Sequence, residues 1–319
     1  MLLALVAAGP ASAGARVSAF YYPWYGTVTH DGGFTHWAQL GHAPPDDIAS
    51  SYYPSRGLYS SSDALVLGAQ MSEIRRAGID EVAVSWWGRG SREDELLPEV
   101  AAAARAEGLA VAAHLEPYAG RTVATTVADI DYLRGLGVRT FYVYRALDLP
   151  VAEWAAANDA LPGDVEVLAQ TALVGAAAAG HFDGVYTYDI VTYGGNTFRR
   201  LCDEARARAL LCVPSVGPGY DARRGSGDPR VKPRRGGRTY DAMWRAAIAA
   251  HADRVTITSY NEWHEGTQIE PAAPPARRGR YRYASYDGAW GYRGPGAGYA
   301  YLDRTAYWSS IFRAASAAR

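Results

Sequence analysis

The chain has 319 residues, 49% of them hydrophobic, and a formal net charge of −1. That is enough apolar material for a large buried core in one or two domains, since an α/β barrel uses about 250 residues as a single domain. The near-neutral charge argues against a duplex nucleic-acid binder, which needs a basic excess to neutralise phosphates. The aromatic balance is unusual, with 23 Tyr and 9 Trp against only 6 Phe. Tyr and Trp join a flat apolar face to a hydrogen-bonding tip. This suits a ligand with C–H faces and hydroxyl edges, such as a carbohydrate; a Tyr-rich surface is the plainer alternative.

Taken in chain order, the first 13 residues read MLLALVAAGPASA, an apolar run ending in the small-x-small pattern Ala11-Ser12-Ala13. The pattern is that of an export signal, although no Lys or Arg precedes Arg16. Residues 1–14 are therefore expected to be removed on export, leaving one catalytic domain over 15–319 and an extracellular location. The run is too short to span a bilayer, and no later stretch is apolar and long enough to do so.

Strands are predicted at 17–25, 79–87, 109–118, 138–144, 165–172, 184–189, 210–215 and 255–260. Helical patterns fall between them at 62–77, 92–107, 125–136, 151–158, 197–209 and 240–251, with a short crossover around 174–180. Repeated β-then-α units imply a parallel sheet with helices outside it, and eight strands imply a closed (β/α)8 TIM barrel. The alternative, an open doubly wound sheet, lacks the Gly-x-Gly-x-x-Gly turn after its first strand. Three long segments, 26–61, 217–238 and 269–301, follow strands one, seven and eight. They thus stand at the C-terminal face, where barrel active sites lie. The second of them holds seven basic residues: Arg223, Arg224, Arg230, Lys232, Arg234, Arg235 and Arg238. The two cysteines, Cys202 and Cys212, match no zinc spacing and are expected as buried thiols; a disulfide is the alternative open to an exported protein. Neither a Gly-rich phosphate loop nor a metal triad is present in the sequence, so no cofactor and no metal are expected.

Polar and aromatic residues crowd the predicted strand ends: Phe20-Tyr21-Tyr22-Pro23-Trp24-Tyr25, Ser85-Trp86-Trp87, His114-Leu115-Glu116-Pro117-Tyr118, Tyr186-Thr187-Tyr188-Asp189 and Tyr260-Asn261-Glu262-Trp263-His264-Glu265. On a barrel these converge on one face as a cleft with carboxylates and aromatic walls, the equipment of a glycosidase. Glu262 and Glu265, three residues apart, face one cavity if the chain turns helical there. An acid and a second carboxylate are what glycosidic cleavage needs.

The run from Thr256 to Glu270, reading TITSYNEWHEGTQIE, resembles the signature of glycoside hydrolase family 99, the endo-acting α-mannosidases and α-mannanases. Further pieces in family order are 20–26, Tyr52-Tyr53-Pro54 with Gly57-Leu58-Tyr59-Ser60-Ser61, 85–88, 114–118 and Pro218-Gly219-Tyr220-Asp221, so the resemblance covers roughly residues 18–310. It implies an oligosaccharide or polysaccharide substrate and a retaining reaction in which no enzyme carboxylate attacks carbon. Glu262 would deprotonate the sugar 2-hydroxyl, which closes on C1 to give a 1,2-anhydro sugar. Glu265 would serve as acid and then as base for water. The resemblance and the strand-end positions together give Tyr22, Tyr25, His36, Trp37, Trp86, Trp87, His114, Glu116, Tyr118, Tyr186, Tyr188, Tyr220, Asn261 and Trp263 as candidate substrate-binding residues. Several keep a plainer reading. Glu116 either binds sugar hydroxyls or forms a salt bridge, Trp87 either faces a neighbouring subsite or packs in the barrel, and Tyr186 and Tyr188 together line the cleft or fill the core. The loop after Tyr220 reads Asp221-Ala222-Arg223-Arg224, where the family pattern often has a second acidic residue. A glycan-binding barrel without catalysis and a glycosyl-transferring enzyme of polysaccharide synthesis are the competing functions; retention of both glutamates speaks against the first.

Overall fold

A computed structural model describes residues 15–319; the expected export segment lies outside them. Strands β1 (Arg16–Tyr21), β2 (Glu81–Trp86), β3 (Ala110–Leu115), β4 (Thr140–Val143), β5 (Glu166–Gln170) and β6 (Gly184–Tyr186) pair in parallel in chain order. The predicted seventh strand is real but broken. Pro214 has no N–H to give to a ladder, and the halves on either side take different partners. β7 (Leu211–Val213) pairs with β6, whereas β8 (Ser215–Val216) pairs with β11 (Arg254–Ile257), which in turn pairs with β1. This split closes the barrel. Eight helices follow the eight staves: α2 (Ala64–Arg76), α3 (Arg92–Ala106), α4 (Val123–Gly135), α5 (Val151–Ala160), α6 (Val174–Ala179), α7 (Gly195–Arg206), α8 (Arg238–Ala249) and α9 (Ala300–Ala317). A four-residue helix α1 (Val28–Asp31) lies in the first long loop. Two short antiparallel hairpins, β9 (Tyr220–Asp221) with β10 (Val231–Lys232) and β12 (Arg277–Arg278) with β13 (Tyr281–Arg282), lie in the other two.

Local chemistry accounts for the helix starts. Asp63 accepts from Leu65 N at the start of α2, and Ser91 accepts from Asp94 N at the start of α3, whose first turn carries Glu93, Asp94 and Glu95. Helix α4 begins at Val123, two residues before its predicted start, because Thr122 and Thr125 form a reciprocal capping box. Helix α9 was not expected. Its buried stripe is Tyr301, Leu302, Thr305, Trp308, Ser309 and Phe312, and two hydroxyl residues interrupt the apolar period. They are buried because both are bonded: Thr305 to Tyr301 O and Tyr240 OH, Ser309 to Ala77 O.

Cys202 and Cys212 form a disulfide between α7 and β7, correcting the expectation of free thiols. Both lie in the packed α7–β7 contact, where close backbone approach brings the two sulfurs together. With ten residues separating the cysteines, the bridge should stabilise the fold by roughly 2–3 kcal/mol. The Cys202→Ser/Cys212→Ser variant is expected to lower the denaturant midpoint, because the unfolded chain regains the freedom that the bridge removes. An unchanged midpoint would show that the bridge contributes nothing.

Candidate active site

Strand alternation builds the barrel interior in layers. At the N-terminal end, Ser18 Oγ donates to Glu81 Oε1 at 2.8 Å and Tyr142 OH to the same oxygen at 3.2 Å. Phe20, His114 and Tyr186 form the next layer, with ring centroids 4.5–5.9 Å apart. Tyr22, Tyr188, Glu116 and Glu262 form the top. His114 Nε2 is hydrogen-bonded to Tyr186 OH at 3.0 Å, while its Nδ1 lies 3.0 Å from Glu116 Oε1 without hydrogen-bond alignment. Ser85 Oγ donates to the same Glu116 oxygen at 2.9 Å.

The two glutamates sit on a single 3₁₀ turn, Trp263–Glu265, with Glu262 as its N-cap and Gly266 at φ 63° as its stop. In a 3₁₀ turn residues i and i+3 eclipse, so the three-residue spacing puts Glu262 and Glu265 on one side and the intervening residues elsewhere. Gly266 is required twice: by its positive φ, and by Asp221, whose backbone would lie 3.1 Å from an added Cβ. The Glu262 N–H donates to Ser259 Oγ at 2.8 Å, and Tyr188 OH donates to Glu262 Oε2 at 2.6 Å. Tyr22 and Tyr188 join their hydroxyls in turn. Burial pushes the Glu262 carboxyl up to about 7, against the pull of the Tyr188 hydrogen bond. Glu265 is pushed well above the carboxylate range, first by burial and then by the charge of Glu262. Two adjacent carboxyls of unlike proton affinity are the arrangement an acid–base pair needs.

Several candidates hold this turn without facing the cleft. The Asn261 side chain accepts from Tyr22 N at 2.8 Å and donates to Tyr22 O at 3.0 Å, rebuilding one sheet rung beyond the strand ends. Tyr25 OH donates to Asn261 O and accepts from Trp263 N, both at 3.0 Å, and its ring stacks on Trp37. Trp37 itself is fully buried and donates to Tyr59 O. Trp263 points away from the cavity and donates to Glu270 Oε2 at 2.7 Å. Glu270 is 0% exposed and also accepts from Arg56, Gln70 and Tyr59. Trp86 faces the helix layer, on Asp94, because alternation turns it outward from the strand end that carries Ser85 inward, and Tyr118, in the loop after β3, donates to Asp129. Trp37, Trp86 and Trp263 are fully buried and therefore serve packing, a correction to their reading as cleft residues.

Other candidates stay at the barrel mouth. Trp87 keeps 38% of its surface exposed at the end of β2. His36 stacks on Trp24, centroids 4.5 Å apart, and its carbonyl accepts from His264 Nε2 at 2.6 Å, which docks the first long loop on the catalytic turn. Burial lowers the His36 pKa to about 3 and the His264 pKa to about 4, so both rings are neutral near pH 7. Tyr220 lines a small cavity with Glu265 and Tyr188, and its hydroxyl donates to Asp228 at 2.9 Å. Tyr144, Asp189 and Arg230 line the same cavity and were absent from the sequence candidates. Tyr144 and Asp189 end predicted strands, which was a usable signal. Arg230 sits in a basic loop that reads as a solvated segment until Asp189 and Asp228 are seen to hold it at 3.2 and 2.6 Å. Among the described residues, no group of three His, Cys, Asp or Glu could hold a metal ion, and no helix is long and apolar enough to cross a membrane.

A closed (β/α)8 barrel with two unequal carboxyls at its C-terminal mouth, Glu262 buried and Glu265 partly exposed, and tyrosines around them defines a glycoside hydrolase. The family model described as glycosyl hydrolase family 99 matches residues 13–314, and the chain belongs to that family. It is 33% identical over 314 residues to a glycoprotein endo-α-1,2-mannosidase-like protein of Danio rerio, covering 80% of this chain and 70% of that one. It is 32% identical over 355 residues to a glycoprotein endo-α-1,2-mannosidase of Mus musculus, covering 92% and 74%. Among solved structures, a family 99 endo-α-mannosidase from Bacteroides thetaiotaomicron superposes with a TM-score of 0.86 at 30% identity, over 95% of this chain and 99% of that one.

Proposed function

We propose that the protein is an exported, endo-acting α-mannoside hydrolase that retains anomeric configuration through a 1,2-anhydro sugar. The observation that carries this is the Glu262–Glu265 turn. Glu262, ionised above about pH 7, takes the proton of the sugar 2-hydroxyl. The 2-oxygen bonds to C1 as the C1–leaving-group bond breaks, and Glu265 delivers its proton to the departing oxygen. Water then adds at C1 with Glu265 as base, the epoxide C1–O2 bond opens, and Glu262 returns the proton to O2. The axial 2-hydroxyl of mannose is trans to an α-linked leaving group, so the backside approach is open. Export is supported by the apolar N-terminal run and by the Cys202–Cys212 disulfide, since disulfides persist in oxidising compartments.

The test follows α-mannan digestion by NMR. The first-formed reducing sugar is expected to be the α-anomer, and a 2-deoxy or 2-fluoro analogue is expected not to turn over. Initial release of the β-anomer, or turnover of the 2-deoxy analogue, would refute the internal nucleophile.

A further inference from the structure

A second and larger depression, about 900 Å³, lies behind the wall of the catalytic cavity, between the β6–α7 loop, β10 and α8. The two share that wall. Ile190 and Arg230 line the catalytic side, and their chain neighbours Val191 and Val231 line the other. Lys232 Nζ ties the wall together by donating to Ile190 O at 2.6 Å. The shared wall adjoins Glu265, the acid, and so stands on the leaving-group side of the cleavage point.

The depression carries one sign of charge. Lys232, Arg235 and Arg238 line it, and no Asp or Glu does. This is not the general state of the basic loop. Arg223 is paired with Asp221, Arg224 with Asp47 and Arg230 with Asp228. Of the others, Lys232 is tied to Ile190 O and Arg234 is buried, whereas Arg235 and Arg238 are exposed, line the depression and have no ion pair among the described residues. The floor is apolar, from Val191, Pro233, Met243 and Ala246. Helix α7 starts at this rim on the glycine N-cap Gly194 with no side-chain cap, which adds its first N–H groups to the field of the cations.

We propose that this depression is a distal subsite for an anionic sugar, a phosphate- or carboxylate-bearing residue on the leaving-group side of the glycan. The apolar floor takes the C–H face of the ring and the unpaired guanidinium groups take the anion. The proposal rests on the hydrolase reading, and it extends the substrate class from neutral mannosides to charged ones.

Calorimetric titration with mannose 6-phosphate, glucuronic acid, inorganic phosphate and methyl α-mannoside tests it. The variants are Arg235→Asn/Arg238→Gln and, as a control for loss of a cation outside the depression, Arg280→Gln on the β12–β13 hairpin. Asn is chosen at 235 because the backbone there has φ 51°. At least one charged sugar is expected to bind the wild type about tenfold tighter than methyl α-mannoside, in a salt-sensitive way. The double variant should lose that preference, Arg280→Gln should keep it, and all three proteins should hydrolyse neutral mannan alike. The stronger of the two charged sugars identifies the anion. Equal binding by the double variant and the wild type, or inorganic phosphate binding as tightly as either sugar, would overturn the proposal. Loss of neutral-mannan hydrolysis in the wild type as well would count against the hydrolase reading instead, and the binding data would stand apart from it.

Discussion

Replacing Glu265 with Gln should reduce turnover of a mannoside with a poor leaving group by about 10³-fold, yet leave the first step of an aryl mannoside with a very good leaving group largely intact. The amide cannot protonate a departing alkoxide, but a leaving group that is already stable as an anion does not need the proton. Glu262→Gln should abolish both reactions, because activation of the 2-hydroxyl is needed whatever leaves. Stopped-flow and steady-state rates on the two substrate types check this. A Glu262→Gln enzyme that keeps the good-leaving-group reaction would remove Glu262 from its role.

The same substitutions should stabilise the protein, and the sign follows from the pKa directions. Both folded-state values are raised above the unfolded value, by burial first. The stability such a group contributes is complete below its unfolded pKa, about 4.3, and is lost as pH rises through the folded value. For Glu262 the loss falls between about pH 4.3 and pH 7 and slightly beyond. Glu262→Gln should thus unfold with the wild type at pH 4 and above it at pH 8, by ~1–3 kcal/mol. Identical midpoints at pH 8 would mean that Glu262 is not held against its solvation preference.

Glu270→Ala should be the most damaging single change away from the cavity, costing about 3–5 kcal/mol. Glu270 is fully buried, and its two oxygens accept from Arg56 Nε at 3.0 Å, Gln70 at 2.8 Å, Tyr59 at 2.7 Å and Trp263 at 2.7 Å. Removal leaves four donors in a closed space, one of them a cation whose remaining partner is Glu73. Gln at this position keeps the volume but presents an N–H₂ to donors, so it should recover only part of the loss. Trp263 is the link to chemistry, since it lies between the two glutamates on the same turn. Where the variants still fold, kcat should fall by more than KM changes, and the tryptophan emission should shift. Wild-type stability in both variants would show that the four-donor site is not a structural anchor.

The barrel was legible in the sequence because apolar, β-branched or aromatic runs alternate with Ala-, Leu- and Arg-rich helical stretches along the chain, and even the short crossover at 174–180 proved to be a helical turn. Helix α9 was hidden because Thr305 and Ser309 occupy core positions, which period-reading takes as surface. The placing of Glu262 and Glu265 on one turn was legible because they have the i, i+3 spacing that a 3₁₀ turn eclipses. Which neighbours face the cavity was not legible. Trp86 and Trp87 are adjacent and identical in type, and only the stave's pleat sends the first to Asp94 and leaves the second at the mouth. The Cys202–Cys212 bridge depends on how closely α7 lies on β7, a tertiary distance that spacing alone does not reveal.

Arg234 leaves the basic loop for the interior and is 9% exposed. It has no carboxylate partner among the described residues. Its guanidinium lies 4.6–4.7 Å from the ring centres of Tyr52, Tyr286 and Tyr301, and it donates to Gly266 O and Gln268 O at 2.9 and 2.7 Å. The catalytic turn is thus moored on two sides by fastenings of different kinds. The Trp263–Glu270 fastening contains a carboxylate, and acid can discharge it. The Arg234 fastening contains only a guanidinium, π faces and backbone carbonyls, none of which changes charge in acid. As the pH falls, the side of the turn beyond Glu265 should therefore keep its hold after the Trp263 side has loosened.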